Sequence, residues 1–197
     1  MNLLIRVFYL LQKFSERIAL FFILKFKGVC YNNLSTFRGI PFILNNGKII
    51  IEDNVIINSK YRNNPIGGNS NSSFWTKKGG KIIISKGVRI SNSAFVSEKG
   101  IFIGKNTFIG GDCKIYDTDF HSLLFEERIQ RPDINVKSAK VHIGEEVFIG
   151  TGAIIMKGVN IGEKSIIGAG SVVTKNIPAG EIWGGNPARF IRKLYKI

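Results

Sequence analysis

An aliphatic residue recurs at every sixth position in the carboxy-terminal third of the chain, and this period constrains the fold more than any other feature. The recurring residues are Ile143, Ile149, Ile155, Ile161, Ile167 and Val173. Four places after each comes a small or β-branched residue, namely Val147, Ala153, Val159, Ser165, Ser171 and Ile177. A period of six fits neither an α-helix, with about 3.6 residues per turn, nor a simple strand, with a period of about 2. It predicts an all-β solenoid in which each hexapeptide supplies one short strand and one corner, with three hexapeptides to a coil.

The same repeat extends towards the amino terminus with interruptions that predict the organisation of the chain. It begins weakly near Ile51, and it then runs through Ile84, Ile90, Val96, Ile103, Ile109 and Ile115, with one extra residue at Glu98-Lys99-Gly100. Residues 60–78, rich in Asn, Gly and Ser, predict an irregular loop, and a polar break predicts an extruded loop at about 117–142. We therefore expect an N-terminal amphipathic or capping segment at 1–48, a β-helix at 49–178 and a tail helix at 179–197.

The first 28 residues combine helical apolar spacing with frequent charges. The apolar positions are Leu3, Leu4, Val7, Leu10, Leu11, Phe14, Ile18, Phe21 and Phe22. The longest uncharged runs, Val7–Gln12 and Ile18–Leu24, are far shorter than the roughly 20 residues that a membrane span needs. A solenoid needs a cap over its open end, and a cationic amphipathic helix can also lie in a membrane interface. Two interpretations stay open: a cap alone, or a cap with peripheral membrane contact through residues 1–27.

The chain is strongly basic, with a formal net charge of +14. This charge fits a solvated basic surface, or attraction to anionic ligands or to an anionic membrane surface. Nucleic acid is not an expected partner, because no basic recognition helix, aromatic single-strand platform or zinc spacing accompanies the charge. The two cysteines do not make a disulfide scaffold, and Cys113 occupies a small-residue slot of the repeat, which predicts a buried thiol.

Two further patterns concern the surface and the tail. The residue before each inward aliphatic should point outwards, and several of these are apolar: Phe102, Phe108, Phe148, Ile154, Ile166 and Val172. Such a row is typical of an association surface, so we expect a homo-oligomer. Asn186 and Pro187 suit the N-cap and first position of a helix, which predicts a short C-terminal helix with its basic residues facing outwards.

Three segments, 141–150, 167–175 and 185–189, resemble the hexapeptide-repeat acyltransferases. The resemblance is strongest to the sugar O-acetyltransferase branch, which includes maltose and galactoside acetyltransferases and enzymes that acetylate capsule or O-antigen sugars, and it covers roughly Ile82 to Leu194. It implies a left-handed parallel β-helix, usually a homotrimer, with acetyl-CoA as co-substrate between adjacent prisms. No metal is expected, because two histidines cannot supply the three-histidine zinc site of the carbonic anhydrases that share this fold.

The resemblance assigns the catalytic base to His121, within Asp117-Thr118-Asp119-Phe120-His121-Ser122. An alcohol that attacks a thioester must lose its proton, and an imidazole, with a pKa of about 6.5, can accept it at neutral pH. If the segment is extended, Asp117 and Asp119 project to the same side as His121, and either could orient the ring or accept from the sugar. The alternative is a surface histidine in a polar loop. His142 should point outwards and take no part in catalysis.

Other candidate residues follow from the same resemblance. Asn92 and Phe148 would contact the substrate, although Asn92 could equally be a corner asparagine bonded to its own backbone. The acetyl-CoA contacts would come from Thr151, Ala169, Thr174, Lys175, Arg189 and Arg192, where small residues admit the pantetheine arm and cations suit the phosphates. These residues could also be plain corner residues of the solenoid or part of a solvated basic face.

Together these features predict an acetyl-CoA-dependent O-acetyltransferase that acts on a sugar hydroxyl of a bacterial surface polysaccharide or its precursor. The alternatives are an N-acetyltransferase of an amino sugar or sugar nucleotide, and a non-catalytic glycan-binding β-helix. The expected location is the cytoplasm, with the inner face of the membrane as a variant of it.

Overall fold

The computed structural model describes residues 3–194, and beyond its N-terminal helix this part of the chain passes through three sheets in turn. Helix α1 spans Leu3–Phe26. The first sheet contains β1 (Val29–Tyr31), β4 (Lys48–Ile51), β7 (Lys81–Ile84), β10 (Ile101–Ile103), β13 (Val141–Ile143) and β16 (Asn160–Ile161). The second contains β2 (Phe37–Arg38), β5 (Ile56–Asn58), β8 (Arg89–Ser91), β11 (Phe108–Ile109), β14 (Phe148–Ile149), β17 (Ile166–Ile167), β19 (Glu181–Gly184) and β20 (Arg189–Lys193). The third contains β3 (Phe42–Asn45), β6 (Ser73–Thr76), β9 (Ala94–Ser97), β12 (Lys114–Tyr116), β15 (Ile154–Ile155) and β18 (Val172–Val173).

The six-residue period produces this arrangement. Apart from β20, each strand pairs in parallel with the strand one coil away, so that Ile103, Ile143 and Ile161 lie in register along the first sheet. All twelve residues that define the repeat from Ile143 to Ile177 are buried, as predicted. Corners of successive coils approach closely, and a Cβ on Gly144 would lie 2.7 Å from the backbone nitrogen of Glu163. The apolar positions therefore form one continuous core along the stack.

The predicted inward orientation is wrong for one residue of the repeat. Val96 points outwards, whereas its neighbours Phe95 and Ser97 are fully buried. The Phe95 ring stacks inside the core on Phe74, with ring centroids 5.1 Å apart and planes inclined by 10°. Burying this large aromatic surface outweighs the burial of a valine, and the hexapeptide register shifts by one residue to allow it.

The amino-terminal boundary also differs from the prediction. Strands β1, β2 and β3 already pair with the next coil, so the β-structure begins at Val29 rather than at residue 49. Leu20 and Leu24 of α1 are buried against this first coil, at the position where a cap is predicted. Residues 60–78 are irregular up to Ser72, with 3₁₀ turns at Tyr61–Asn63 and Pro65–Gly67, but they end in strand β6. Within residues 3–194, no helix combines the length and apolarity needed to cross a membrane.

The predicted C-terminal helix is wrong. The tail forms an antiparallel hairpin of β19 and β20, and β19 extends the second sheet beside β17. Gly168 donates its backbone N–H to the carbonyl of Trp183 at 2.8 Å, and Val172 donates to Gly185 at 3.0 Å. The last coil would otherwise leave these N–H groups unpaired, so tertiary pairing overrides the local helix signals at Asn186 and Pro187. Residues 195–197 of the predicted tail helix lie outside the described part of the chain.

The predicted outward residues do point outwards, but they are divided among the three sheets. Phe108, Phe148 and Ile166 lie in register on the second sheet. Phe102 lies on the first sheet and stacks on the exposed ring of His142, with centroids 4.6 Å apart. Cys113 is a free, buried thiol, as predicted, and burial raises its pKa.

Candidate functional site

The loop that carries His121 leaves the coils between β12 and β13 and is closed at its base. Thr118 and Ser138 form an antiparallel bridge. Asp119 donates its backbone N–H to the carbonyl of Lys137 at 3.0 Å, and Ala139 donates to Asp117 at 2.9 Å. The sequence break therefore is an extruded loop, as predicted, with a fixed stem.

Within the loop, the carboxylate of Glu127 is the main organising group. It belongs to a single helical turn, α2 (Phe125–Arg128), and accepts hydrogen bonds from the hydroxyl of Ser122 and from the amide of Asn135. These hydrogen bonds lower the pKa of Glu127 below its usual value. Arg128 also donates to the carbonyl of Ser122 at 3.1 Å. The residue that follows His121 is thus held by two side chains of the same loop.

His121 pairs with a carboxylate that the sequence analysis missed. Its Nδ1 lies 2.9 Å from Oδ2 of Asp133, while 69 % of the imidazole side chain is exposed. The hydrogen bond from His121 lowers the pKa of Asp133 below its usual value. We assign the ring proton to Nδ1, because a charged carboxylate only accepts hydrogen bonds. Nε2 is then a lone-pair acceptor, which is the arrangement that a general base needs.

The two aspartates predicted to serve His121 have other partners. Asp117 is fully buried and accepts hydrogen bonds from Ser97 and from three backbone N–H groups, so its proposed role beside the ring is wrong in this structure. Asp119 instead forms an ion pair with Lys157 at 2.9 Å. The assumed extended backbone fails at Phe120, whose φ of 64° breaks the alternation of side chains. Among residues 3–194, neither carboxylate bonds to His121.

Asn92 is closed off by its own chain. Its side chain is 1 % exposed and its amide donates to the carbonyl of Ser70. Gly67 packs against it so closely that a Cβ on the glycine would lie 2.5 Å from the Asn92 Cβ. Its φ of 44° is typical of asparagine at a corner. In this conformation Asn92 is a corner asparagine, but its amide bonds to Ser70 rather than to its own backbone. The sugar contact stays a prediction.

Phe148 and the predicted cofactor residues occupy accessible positions. Phe148 is 48 % exposed on the second sheet, beside Phe108 and Ile166. Thr151 lies at a corner between the second and third sheets, where its carbonyl accepts from the Gly170 N–H at 2.8 Å. The remaining predicted residues are all exposed: Ala169 beside Gly170, Thr174 and Lys175 after β18, and Arg189 and Arg192 on β20.

Apart from Phe148, Arg189 and Arg192 on the second sheet, the candidate residues divide between two edges of the stack. Asn92, Thr151 and Ala169 lie at corners between the second and third sheets, whereas the His121 loop, Thr174 and Lys175 leave the corner between the third and first sheets. The third sheet separates these edges. Within the described chain, no hydrogen bond or ion pair joins the two groups. One chain therefore does not bring the predicted base and the predicted cofactor corner together.

The repeat matches a known family model. Residues 140–175 match the model described as the hexapeptide repeat of succinyl-transferase. No curated protein matches the chain by sequence.

Similar solved structures include two acetyltransferases and one N-acyltransferase. A hexapeptide-repeat-containing acetyltransferase from Vibrio cholerae is 32 % identical, with a TM-score of 0.54, over 58 % of this chain and 64 % of that one. A maltose O-acetyltransferase from Clostridium difficile is 33 % identical, with a TM-score of 0.57, over 64 % of this chain and 65 % of that one. A mutant of AntD, an N-acyltransferase from Bacillus cereus in complex with dTDP-4-amino-4,6-dideoxyglucose and coenzyme A, is 25 % identical, with a TM-score of 0.59, over 79 % of this chain and 78 % of that one.

These similarities define the class to which the fold belongs. The chain contains a hexapeptide repeat at residues 140–175, and its resemblance to the hexapeptide-repeat acetyltransferases, the maltose O-acetyltransferase among them, is confirmed. It spans slightly less than two thirds of the length of the two acetyltransferases, at 64 % and 65 %.

Proposed function

We propose that the protein is an acetyl-CoA-dependent O-acetyltransferase that acts on a sugar hydroxyl, with His121 as the general base. The observation that carries this proposal is the His121–Asp133 pair at 2.9 Å on an exposed loop of a hexapeptide-repeat fold. The sugar oxygen attacks the thioester carbonyl carbon while its proton passes to Nε2 of His121. The tetrahedral intermediate then collapses as its C–S bond breaks, and the departing CoA thiolate takes the proton from Nε2, which returns His121 to its neutral form. Asp133 holds the ring and stabilises the imidazolium that forms.

A second candidate is N-acylation of an amino sugar or sugar nucleotide. The similarity to the Bacillus cereus N-acyltransferase, which extends over 79 % of this chain, favours it. An amine acceptor must lose a proton before it can attack, so its rate should rise with pH through the pKa of the amine. Matched hydroxyl and amino acceptors, assayed over the same pH range, distinguish the two chemistries. Among hydroxyl acceptors we favour a bacterial surface polysaccharide or its precursor.

We infer that the three sheets close into a left-handed β-helix that assembles as a homotrimer. The division of the candidate residues between two edges supports the trimer, because a second copy can place its corner with Thr151 and Ala169 beside the His121 loop of the first. The exposed apolar side chains of that loop, including Leu123 and Phe125, further support an association surface.

A titration with CoA, combined with light scattering, tests the proposed CoA binding and the proposed assembly on the same sample. We expect isothermal titration to give one CoA per chain, and light scattering of the same sample to give the mass of three chains. Replacing Arg189 and Arg192 by alanine should weaken CoA binding by about 10–100-fold, because each exposed guanidinium can form charge-assisted hydrogen bonds to the phosphates.

The matched control removes two other exposed cations. Lys48 and Lys81 are register partners at the start of β4 and β7, so the double alanine variant lowers the net charge equally without touching the tail hairpin. It should bind CoA as the parent does. A non-catalytic scaffold would give no heat with CoA, and that result would contradict the proposed activity.

We further propose that α1 contacts the inner face of the membrane. Its exposed apolar side chains support this, since Phe8, Leu10, Leu11 and Phe14 are each more than 60 % exposed. Aromatic and aliphatic side chains beside cations are typical of interfacial helices. The helix thus has two parts: Leu20 and Leu24 cap the core, and the preceding turns are free to enter the headgroup layer.

Deleting residues 2–12 separates these two parts, because it removes the exposed Phe8, Leu10 and Leu11 and keeps the buried leucines. We expect the truncated protein to remain folded and to lose about 10-fold or more in affinity for anionic vesicles, measured by sedimentation. The full chain with Arg6→Ala is the control for the single cation that the deletion also removes, and it should still co-sediment. Equal sedimentation of the truncated and full chains would place the membrane contact elsewhere.

A further inference from the structure

A cleft of about 400 Å³ lies between α1 and the first coil, away from the extruded loop. The helix contributes Lys13, Glu16, Arg17 and Leu20, strand β2 and the residue after it contribute Phe37, Arg38 and Gly39, and the turn after β5 contributes Lys60, Arg62 and Asn63. Lys13, Arg17, Leu20 and Leu24 follow one another at spacings of four, three and four residues. They therefore share one helix face, and the face that caps the core with leucines continues into the cleft with cations.

The charges of this cleft are unbalanced. Five of its lining residues are cationic and one, Glu16, is acidic. Glu16 already forms an ion pair with Lys60, so the remaining four cations have no carboxylate of their own. Within residues 3–194, no acidic side chain forms a salt bridge with Lys13, Arg17, Arg38 or Arg62. Like charges that face one cleft repel each other, and an anion between them relieves that repulsion.

The floor of the cleft consists of packed, hydrogen-bonded residues. Leu20 and Phe37 are buried beneath it. The stem of Lys60 passes over Gly39, whose φ is 100°, and a Cβ there would lie 2.6 Å from the Lys60 Cγ. The carbonyl of Arg38 accepts from the N–H of Ser59 at 2.9 Å and from the amide of Asn63 at 2.8 Å. These bonds hold β2 and the turn after β5 together, so the backbones of Arg38 and Arg62 keep a fixed separation.

We propose that this cleft is a binding site for a phosphate or diphosphate group. Three of the four unpaired cations are arginines, Arg17, Arg38 and Arg62, and the planar guanidinium matches phosphate oxygens with paired hydrogen bonds. The apolar floor and the exposed apolar turns of α1 suit an amphiphile that carries such a group. A free diphosphate and the phosphate of a lipid share this chemistry. The site lies apart from His121, so the inference does not depend on acetyl transfer.

Two titrations of the full chain identify the source of the phosphate. The first uses inorganic pyrophosphate in solution, followed by calorimetry. The second uses phosphatidylcholine vesicles with and without a minor fraction of phosphatidic acid, followed by sedimentation. Saturable binding of pyrophosphate assigns the site to a free diphosphate. Binding to phosphatidic acid vesicles alone, beyond the binding to phosphatidylcholine, assigns it to a lipid phosphate.

The double variant Arg38→Ala/Arg62→Ala decides whether the cleft is responsible. Both side chains are exposed and away from the core, so thermal unfolding should match that of the parent. In whichever of the two titrations the parent shows binding, we expect the affinity of this variant to fall at least about 10-fold. The charge-matched variant Lys48→Ala/Lys81→Ala should bind as the parent does. The proposal is overturned if the parent binds neither pyrophosphate nor phosphatidic acid vesicles, or if the control variant loses as much affinity as the arginine variant. Acetyl transfer to a water-soluble sugar should be unchanged in all variants.

Discussion

Replacing His121 by alanine should lower kcat by about 10²–10⁴-fold, which is the range that a positioned general base supplies. The fold should be intact, because the side chain is 69 % exposed and, within residues 3–194, its one hydrogen-bond partner is Asp133. Release of the CoA thiol, followed with a chromogenic reagent, measures the rate, and circular dichroism checks the fold. His142→Ala is the matched control, because that imidazole is also exposed but stacks on Phe102 on the first sheet. A small change in His121→Ala, or an equal loss in His142→Ala, would mean that the base is misassigned.

The role of Asp133 can be separated from that of the base. Asp133→Asn should lower kcat by less than His121→Ala does, and it should have no further effect in the His121→Ala background, because residues that act as a unit are not additive. The depressed pKa of Asp133 gives the sign of its pH dependence. Its stabilising contribution is present above the ordinary carboxyl pKa and is lost as pH falls through the lower, folded value.

The core of the stack could be predicted from the sequence because each hexapeptide repeats the same local environment. Ile143, Ile149 and Ile155 are buried for the same reason, namely that each fills one side of a coil whose neighbours are nearly identical. Phe95 could not be predicted in this way. Its ring is buried through stacking on Phe74, which belongs to the preceding coil and to a segment without a clear repeat.

The two ends of the chain show the limit of local signals. Asn186-Pro187 carries the pattern of a helix start, but the exposed N–H groups of the last coil are satisfied only when β19 lies beside β17. Strands β1 to β3 lack the hexapeptide pattern because the cap from α1, and not another regular coil, covers them. At both ends the structure depends on residues distant in the sequence, because an open end of the stack must be covered, by α1 at one end and by β19 at the other.

The candidate site was predictable in part. His121 follows from its motif in the polar break, but its partner depends on how the loop folds back, with Glu127 holding Ser122 and Asn135. Asp133 lies twelve residues after His121, and spacing along the chain does not bring the two together. Besides Asp117 and Asp119, the loop contains three acids, Glu126, Glu127 and Asp133. A count of its carboxylates would have included the partner of His121 but could not have selected it.

Asp117 illustrates the opposite case, a motif residue whose main role in this structure is structural. Its carboxylate accepts hydrogen bonds from the Ser97 hydroxyl at 2.8 Å and from the backbone N–H groups of Glu98, Lys99 and Gly100 at 2.7, 2.8 and 2.6 Å. These are the residues where the repeat takes one extra position. The carboxylate thus stabilises an irregular corner and fixes the start of the His121 loop against the preceding coil.

Replacing Asp117 by alanine should lower the free energy of unfolding by about 3–5 kcal/mol, because it leaves several donors in a buried corner without an acceptor. Urea unfolding at one fixed protein concentration measures this, since assembly contributes to the apparent stability. Asp53→Ala is the control, because this exposed carboxylate accepts one side-chain bond, from Asn32 at 2.9 Å, and its loss should cost less than about 1 kcal/mol. The folded fraction of Asp117→Ala should retain the kcat of the parent. A variant as stable as the parent but without turnover would instead make Asp117 a catalytic group, and its four hydrogen bonds would then have to open before the reaction.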